Sequence, residues 1–461
     1  MTQHDWPAST RRTSLAKLAR EWETRVEVVR YTLRDMINWG AAQVTIDITR
    51  AAEHKVFELT SLEARLTDVD PEKARRTLRD LQEQAARSSG RPPADALAVA
   101  MRYETIRAAS STIDGDDYRV GVYRYWRPTE DERRARTSRI IKRVQPGPYE
   151  DGQHLESLAR EAAAIEMTIA PDPEGSWLGQ LLSRVLLGTT DEPRSHAATG
   201  RRGDAVFIRL SAGLLDFLDL SALCFVLALK PSTPPPDAGS SFSARPEDTA
   251  AMLDEDPVVV NLLHNALAGW LCHGSISTDE VVAGNQGSRR FAGMVRWFAQ
   301  RFVVAHEYGH ALHLLGAPIP IDGESPRAKE NRFDFNAAAL VFRSARADRV
   351  QPNIALQGAV LAMKSQELID RALILAYGGD ESALEPLATH PPFLQRLQQI
   401  YDFYAEEIKG RSDPQLEPAA LTVPADTVEL IWERVKPKLQ QSLEDRLLHQ
   451  IWDTRLHPHQ R

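Results

Sequence analysis

The sequence predicts a mainly helical α+β protein, in which one small sheet accompanies many helices. Three observations point there. Apolar residues recur at three- and four-residue spacing along much of the chain, the signature of amphipathic helix. Strand-like runs are few, with "YRVGVYRYW" (118–126) and "AVFIRL" (205–210) the clearest. A hydrophobic content of 43% and a charged content of 26% over 461 residues suit a soluble globular chain with a large core and two or three domains.

The elements follow in order. Over 12–39 a helix is expected, because Leu15, Leu18, Trp22, Val26, Val29, Leu33 and Ile37 share one face and Gly40 stands at the C-cap. Charged, helix-like sequence then continues to a loop at "RSSGRPPAD" (88–96), so 1–115 reads as a helical N-terminal region. Residues 116–203 read as a mixed α/β connection holding the strand 118–126 and the locally basic helix "ERRARTSRIIKRV" (132–144). A solvated face is expected for that helix, with contact to an acidic partner as the other reading. A core follows over 204–410, broken at "PSTPPPDAGSSFSARPEDTA" (231–250), whose Pro, Ser and Gly mark a linker or mobile surface loop. Residues 411–461 read as a linker and an amphipathic helix on Val428, Ile431, Val435, Leu439, Leu443, Leu447 and Ile451, with Pro437 expected to kink it.

Several classes are excluded. A net charge of -8 argues against a general nucleic-acid-binding surface. Two cysteines, Cys224 and Cys272, both in apolar stretches, rule out a disulfide scaffold and read as reduced, buried thiols. No apolar core of a signal peptide follows the N-terminus. The greasiest stretch, 210–229, carries Asp216 and Asp219, so no membrane span is expected and the cytoplasm is the expected location. Oligomeric state is not readable.

Chemistry concentrates in "RFVVAHEYGHALHLLG" (301–316). His306 and His310 stand four apart, so on a helix both imidazoles leave one face and can reach one ion at about 2.0–2.1 Å. Glu307 is turned about 100° further round, where it flanks such an ion as a general base without ligating it. Met294, Val295, Phe298, Phe302, Ala305, Leu312 and Leu315 form the helix's apolar face, and Gly316 is its natural stop. A core helix with two imidazoles explains HExxH alone, and the third ligand decides. In "RAKENRFDFNAAALVF" (327–342), Glu330 completes a His2Glu set with an open fourth position, the pattern of catalytic zinc. Asp334, one turn on, can accept the second N–H of a ligand histidine and fix its tautomer. A three-histidine signature is excluded, because His313 and Gly316 occupy the reverse of the positions it needs. His313 reads as a packed or exposed histidine outside the ligand set, and Tyr308 as a core side chain rather than a catalytic one.

Together "HEYGH" and "ENRFD" resemble the HExxH…ExxxD arrangement of gluzincin metallopeptidases. Within that group, "THPPFLQRLQQI" (389–400) and "DAVFIRLSAGLLDFL" (204–218) resemble segments of the HtpX and CAAX prenyl-protease-like branch. Members of that branch are commonly membrane-embedded, unlike the expectation here, and Lit-type phage-exclusion peptidases are a soluble analogy. The resemblance covers about residues 204–405 and implies a zincin-like metallopeptidase core. It implies one Zn2+ per chain on His306, His310 and Glu330, Glu307 as base and proton shuttle, and Asp334 behind a ligand histidine. His390 or Arg396 is implied as oxyanion stabiliser, with a structural helix start at "THPP" as the alternative.

The function expected is selective peptide-bond hydrolysis on a protein or peptide substrate, with "AVFIRL" pairing edge-on with the substrate chain. On that strand Val206 and Ile208 are expected to face one way, Phe207 and Arg209 the other. Two alternatives remain: a helical interaction protein with a structural zinc site, and a zinc hydrolase of a non-peptide amide. Glu307 argues against the first, since a structural site needs no base.

Overall fold

The computed structural model describes residues 11–14, 56–59, 71–89, 129–145, 147–150, 152–170, 177–190, 197–202, 205–232, 241–243, 245–273, 286–317, 326–348, 350–376, 393–408 and 419–445. Their elements are, in chain order, β1 (Arg11–Ser14), β2 (Val56–Leu59), α1 (Pro71–Ser89), α2 (Glu130–Val144), α3 (Gly152–Ile169), α4 (Trp177–Leu182), β3 (Val185–Thr190), β4 (Ala197–Arg202) and β5 (Ala205–Ser211). There follow α5 (Ala212–Ala228), β6 (Pro231–Ser232), β7 (Ser241–Phe242), α6 (Pro246–Glu255), α7 (Val258–His273), α8 (Gln286–Leu314), α9 (Pro326–Ala347), α10 (Pro352–Ala376), α11 (Phe393–Ile408) and α12 (Ala419–Glu444). The described part is mainly helical with a small three-stranded sheet, as expected. None of its helices is long and apolar enough to cross a membrane.

In that sheet the order is β3-β5-β4, with β3 parallel and β4 antiparallel to β5. The boundary expected between residues 203 and 204 therefore falls between two hydrogen-bonded strands, and the connecting region shares a sheet with the core. Helix α1 lies against β3. Its Leu78 approaches so closely that a Cβ on Gly188 would stand 2.9 Å from Leu78 Cδ2. Its Gln82 donates to the Thr189 carbonyl at 2.9 Å and to Glu150.

Helix α8 runs through the centre, packed by α3, α5, α9 and α10. Of the expected apolar face, Val295, Phe298, Phe302, Ala305, Leu312 and Leu315 are buried and Met294 is partly so. Burial also extends beyond that face. Arg301, only 4% exposed, stays buried because Glu161 accepts from its Nε at 2.5 Å and Asp348 from its Nη1 at 2.7 Å. The acids of the greasy stretch are explained likewise: Asp219 accepts from Arg296 and Gln300, both at 3.0 Å, and Asp216 faces His154 at 3.2 Å.

Four local expectations change. Residues 12–14 are extended rather than helical and pair with β2, in keeping with β-branched Thr13 and Val56; 15–39 and the strand 118–126 lie outside the described residues. The basic helix 132–144 is not simply solvated. Arg136, Thr137, Ile140, Ile141 and Val144 are buried, and Arg136 and Arg143 face the buried Glu166, so the acidic partner is intramolecular. Within 231–250, Pro231–Ser232 pairs with Ser241–Phe242, and α6 begins at Pro246, whose fixed φ suits a first helical turn. The last helix starts at Ala419, earlier than the soft composition of 410–426 predicts, and contains both Pro424 and Pro437. Val428, Ile431, Val435 and Leu439 are buried as expected, while Leu447 and Ile451 lie outside the described residues.

Helices α8 and α10 cross in near backbone contact at Gly358. A Cβ there would lie 2.6 Å from Phe298 Cβ and 2.8 Å from the Ala299 nitrogen. Alanine gains helix propensity of about 1 kcal/mol, but a backbone neighbour cannot swing aside. Gly358→Ala is expected to cost about 1–3 kcal/mol, read as a lower denaturant midpoint at unchanged slope.

Candidate metal centre

The end of α8 is closed by its own backbone. Gly316 takes φ +78, and the N–H groups of Gly316 and Ala317 donate to the carbonyls of His313 and Leu312 at 3.0 and 2.9 Å. This paired arrangement satisfies the last carbonyls and turns the chain out of the helix, and only glycine adopts that φ without strain. Further back on α8 stand His306 and His310. Helix α9 then brings Glu330 and Asp334 across from them.

Three donor atoms converge. His306 Nε2 lies 3.1 Å from Glu330 Oε2, His310 Nε2 lies 3.4 Å from the same oxygen, and the two Nε2 atoms are 3.0 Å apart. Ligand atoms at tetrahedral corners about 2.0–2.1 Å from an ion stand about 3.3–3.4 Å from one another, close to this triangle. Two imidazole nitrogens facing each other at 3.0 Å also need a proton or a cation between them. Charge points the same way: Glu307, Glu330 and Asp334 bring three carboxylates, and Arg396 balances one. The donor set therefore fits a divalent ion, and the three residues form a possible metal-binding group.

Around this triangle the packing is close. Asp334, fully buried, accepts from His306 Nδ1 at 2.9 Å, which leaves Nε2 turned toward the donor triangle. The Phe333 ring tilts against His310 with centroids 4.2 Å apart. Gly309, a variable position of the motif, lets α9 approach: a Cβ there would stand 2.8 Å from Phe333 Cδ1. His313 lies outside the triangle, its ring 6.3 Å from Phe333. Tyr308 is a core residue, with no exposure and its hydroxyl donating to Glu166 at 2.8 Å.

Glu307, 6% exposed, turns toward the sheet. Thr199 on β4 lies 2.6 Å from Glu307 Oε2 and 3.0 Å from the Glu307 carbonyl, so its hydroxyl ties the carboxylate to an edge strand. Arg201 on the same strand donates to the Leu314 carbonyl at 3.0 Å. Here the expectation for "AVFIRL" is corrected. That segment is β5, the central strand, and both its edges are already paired, so it has no edge to offer a substrate. Among the described residues the outer strands of this sheet are β3 and β4, and of the two it is β4 that lies beside Glu307. Val206, Ile208 and Phe207 on β5 are all buried.

Arg396 is also placed differently. Its Nε and Nη2 donate to Asp334 Oδ2 and Oδ1 at 2.6 and 2.9 Å, behind the His306 ring and on the far side from the donor triangle, so it does not stand as an oxyanion donor. His390 lies outside the described residues. The structure thus brings together His306, Glu307, His310, Glu330, Asp334 and Arg396. Sequence reasoning missed Thr199 and Phe333. Phe333 carried a signal, since it lies three residues beyond Glu330 on the same helix. Thr199 carried none, because only tertiary packing sets β4 beside α8.

The carboxylates dominate the electrostatics. Burial alone would lower the His306 imidazole, but its bonds to Asp334 and Glu330, with the charge of Glu307, push it up to about 10. Burial acts to raise Asp334, yet the Arg396 guanidinium and His306 hold its carboxyl well below the usual range. Glu330 is likewise held low, its two histidine contacts overcoming burial.

In comparisons with family models, with curated proteins and with solved structures, nothing matches this chain. The gluzincin resemblance rests on the motif residues themselves.

Beyond Arg396, Asp370 on α10 is pushed up to about 6, chiefly by burial and to a small extent by Glu367, against the opposing pull of Gln366 and Arg396. An acid raised in the folded state binds its proton more tightly there, so its favourable contribution is present near pH 4 and lost as pH rises through 6. Asp370→Asn is therefore expected to stabilise the protein by about 1–3 kcal/mol at pH 7.5 and to leave it unchanged at pH 4, in paired urea titrations.

Proposed function

We propose that this chain is a zinc-dependent peptidase with a zincin-like core of the gluzincin kind, holding one zinc on His306, His310 and Glu330 and working in the cytoplasm. The observation that carries this reading is the convergence of those three donor atoms with Glu307 on the same helix. A base beside a three-ligand site is what hydrolysis requires and what a purely structural site does not.

When bound, zinc in a His2Glu site polarises a carbonyl and makes water more acidic. The remaining work belongs to the chain. Thr199 occupies Oε2 of Glu307 and leaves Oε1 to take the proton of the attacking water. The same carboxylate then delivers that proton to the leaving amine nitrogen, so Glu307 ends the cycle as it began. The open edge of β4, one strand removed from where the sequence alone puts it, runs beside Glu307. There its main-chain N–H and C=O groups can hold an extended peptide. Phe333 and the buried flank of α8 keep water from the rear of the ligands.

Elemental analysis of the purified, reconstituted chain is expected to find one zinc, lost or greatly weakened in Glu330→Gln. Glu307→Gln is expected to keep its zinc and lose about 10²–10⁴-fold in turnover of a protein or peptide substrate. A wild-type chain that takes up no zinc would return "HEYGH" to being a core helix with two imidazoles.

A further inference from the structure

We infer that Arg396 is a positioning residue for the metal ligand His306, and that metal occupancy and the seating of helix α11 are thereby coupled; this rests on the metal-site reading above. The geometry is a relay of three side chains from three helices. From α8, His306 presents Nε2 to the donor triangle and Nδ1 to Asp334 at 2.9 Å. On α9, Asp334 has no exposure at all. From α11, Arg396 grips both its oxygens, at 2.6 and 2.9 Å, and is itself only 7% exposed.

A carboxylate pivots about its last bond unless something fixes its plane. The planar guanidinium, donating two parallel N–H groups, sets that plane and aims Oδ1 at His306 Nδ1. Partners behind a ligand histidine set ring orientation and tautomer, and losing one costs about 10–100-fold in metal affinity. Lysine carries the same charge without the fork.

Coupling to α11 follows from which of its described side chains hold it, with Phe393 and Tyr401 partly buried against the core. Among its described side chains, only Arg396, Leu397 and Ile400 are buried, and Leu394 is 76% exposed. Its first turn adds a cation–π contact, with Lys364 Nζ 4.5 Å from the Phe393 ring centre. Arg396 is thus a main anchor of α11, and its partner is the residue that orients a ligand. Any interaction that strengthens metal binding through Asp334 must be strengthened by metal in return.

The test is zinc affinity, by competition with a chromophoric chelator, for the wild type, Arg396→Met, Arg396→Lys, Asp334→Asn and the Arg396→Met/Asp334→Asn double variant. Arg396→Met is expected to weaken zinc by about 10–100-fold, with Arg396→Lys intermediate. The double variant is expected to be no weaker than its weaker parent, because Arg396 acts through Asp334. Wild-type affinity in Arg396→Met, or losses that multiply in the double variant, would overturn the inference while leaving the metal site standing. No zinc in the wild type would remove both. Should Arg396→Met not fold, hydrogen exchange on the wild type decides: zinc is expected to slow the amides of Phe393–Ile408 several-fold, and identical exchange with and without zinc rejects the coupling.

Discussion

A helix that buries charge on several sides must find a partner for each charge, and the arrangement around α8 follows from that constraint. An unpaired buried ion costs several kcal/mol, far more than a buried methylene returns. Gln300, Arg301, His306, Glu307 and the Tyr308 hydroxyl all sit within nine residues of one helix, each 6% exposed or less. Four of the neighbouring elements supply partners. Helix α3 gives Glu161 and Glu166, α5 gives Asp219, α9 gives Glu330 and Asp334, and β4 gives Thr199. The topology can be read as the set of connections that delivers these groups to one axis.

How much of this was legible varied with the kind of signal. The helix that carries "HEYGH", its stop at Gly316, and the facing Glu330 and Asp334 were readable, because spacing within one helix fixes which side chains share a face. A mostly helical fold with a small sheet was readable for the same reason. Strand order was not, since "AVFIRL" reads identically as an edge or a centre strand until β3 and β4 are placed beside it. The basic stretch 132–144 misled for a related reason. Charge runs usually face water, and only the burial of Glu166 on another helix turns two of these arginines inward. For Arg396 the sequence indicates the neighbourhood and not the role. Its nearness to the site is legible in "THPPFLQR", but the direction of its guanidinium depends on Asp334.

The two sides of α8 divide the labour. At about 100° per residue, Arg301 and Tyr308 fall within about 20° of each other and about 140–160° from His306. They face α3 and α2, where Glu161, Glu166, Arg143 and Arg136 enclose them. His306 and His310 face α9. A long apolar helix packed only by greasy side chains can rotate or slide by a fraction of a turn at modest cost. Breaking a buried ion pair costs about 3–5 kcal/mol, so the rear network resists such a rotation even though it adds little net stability over an apolar equivalent. That network holds the rotation at which two imidazoles meet one carboxylate oxygen at 3.1 and 3.4 Å. In this sense α2 and α3, which lie outside the motif-bearing region, are part of what makes the donor triangle geometrically possible.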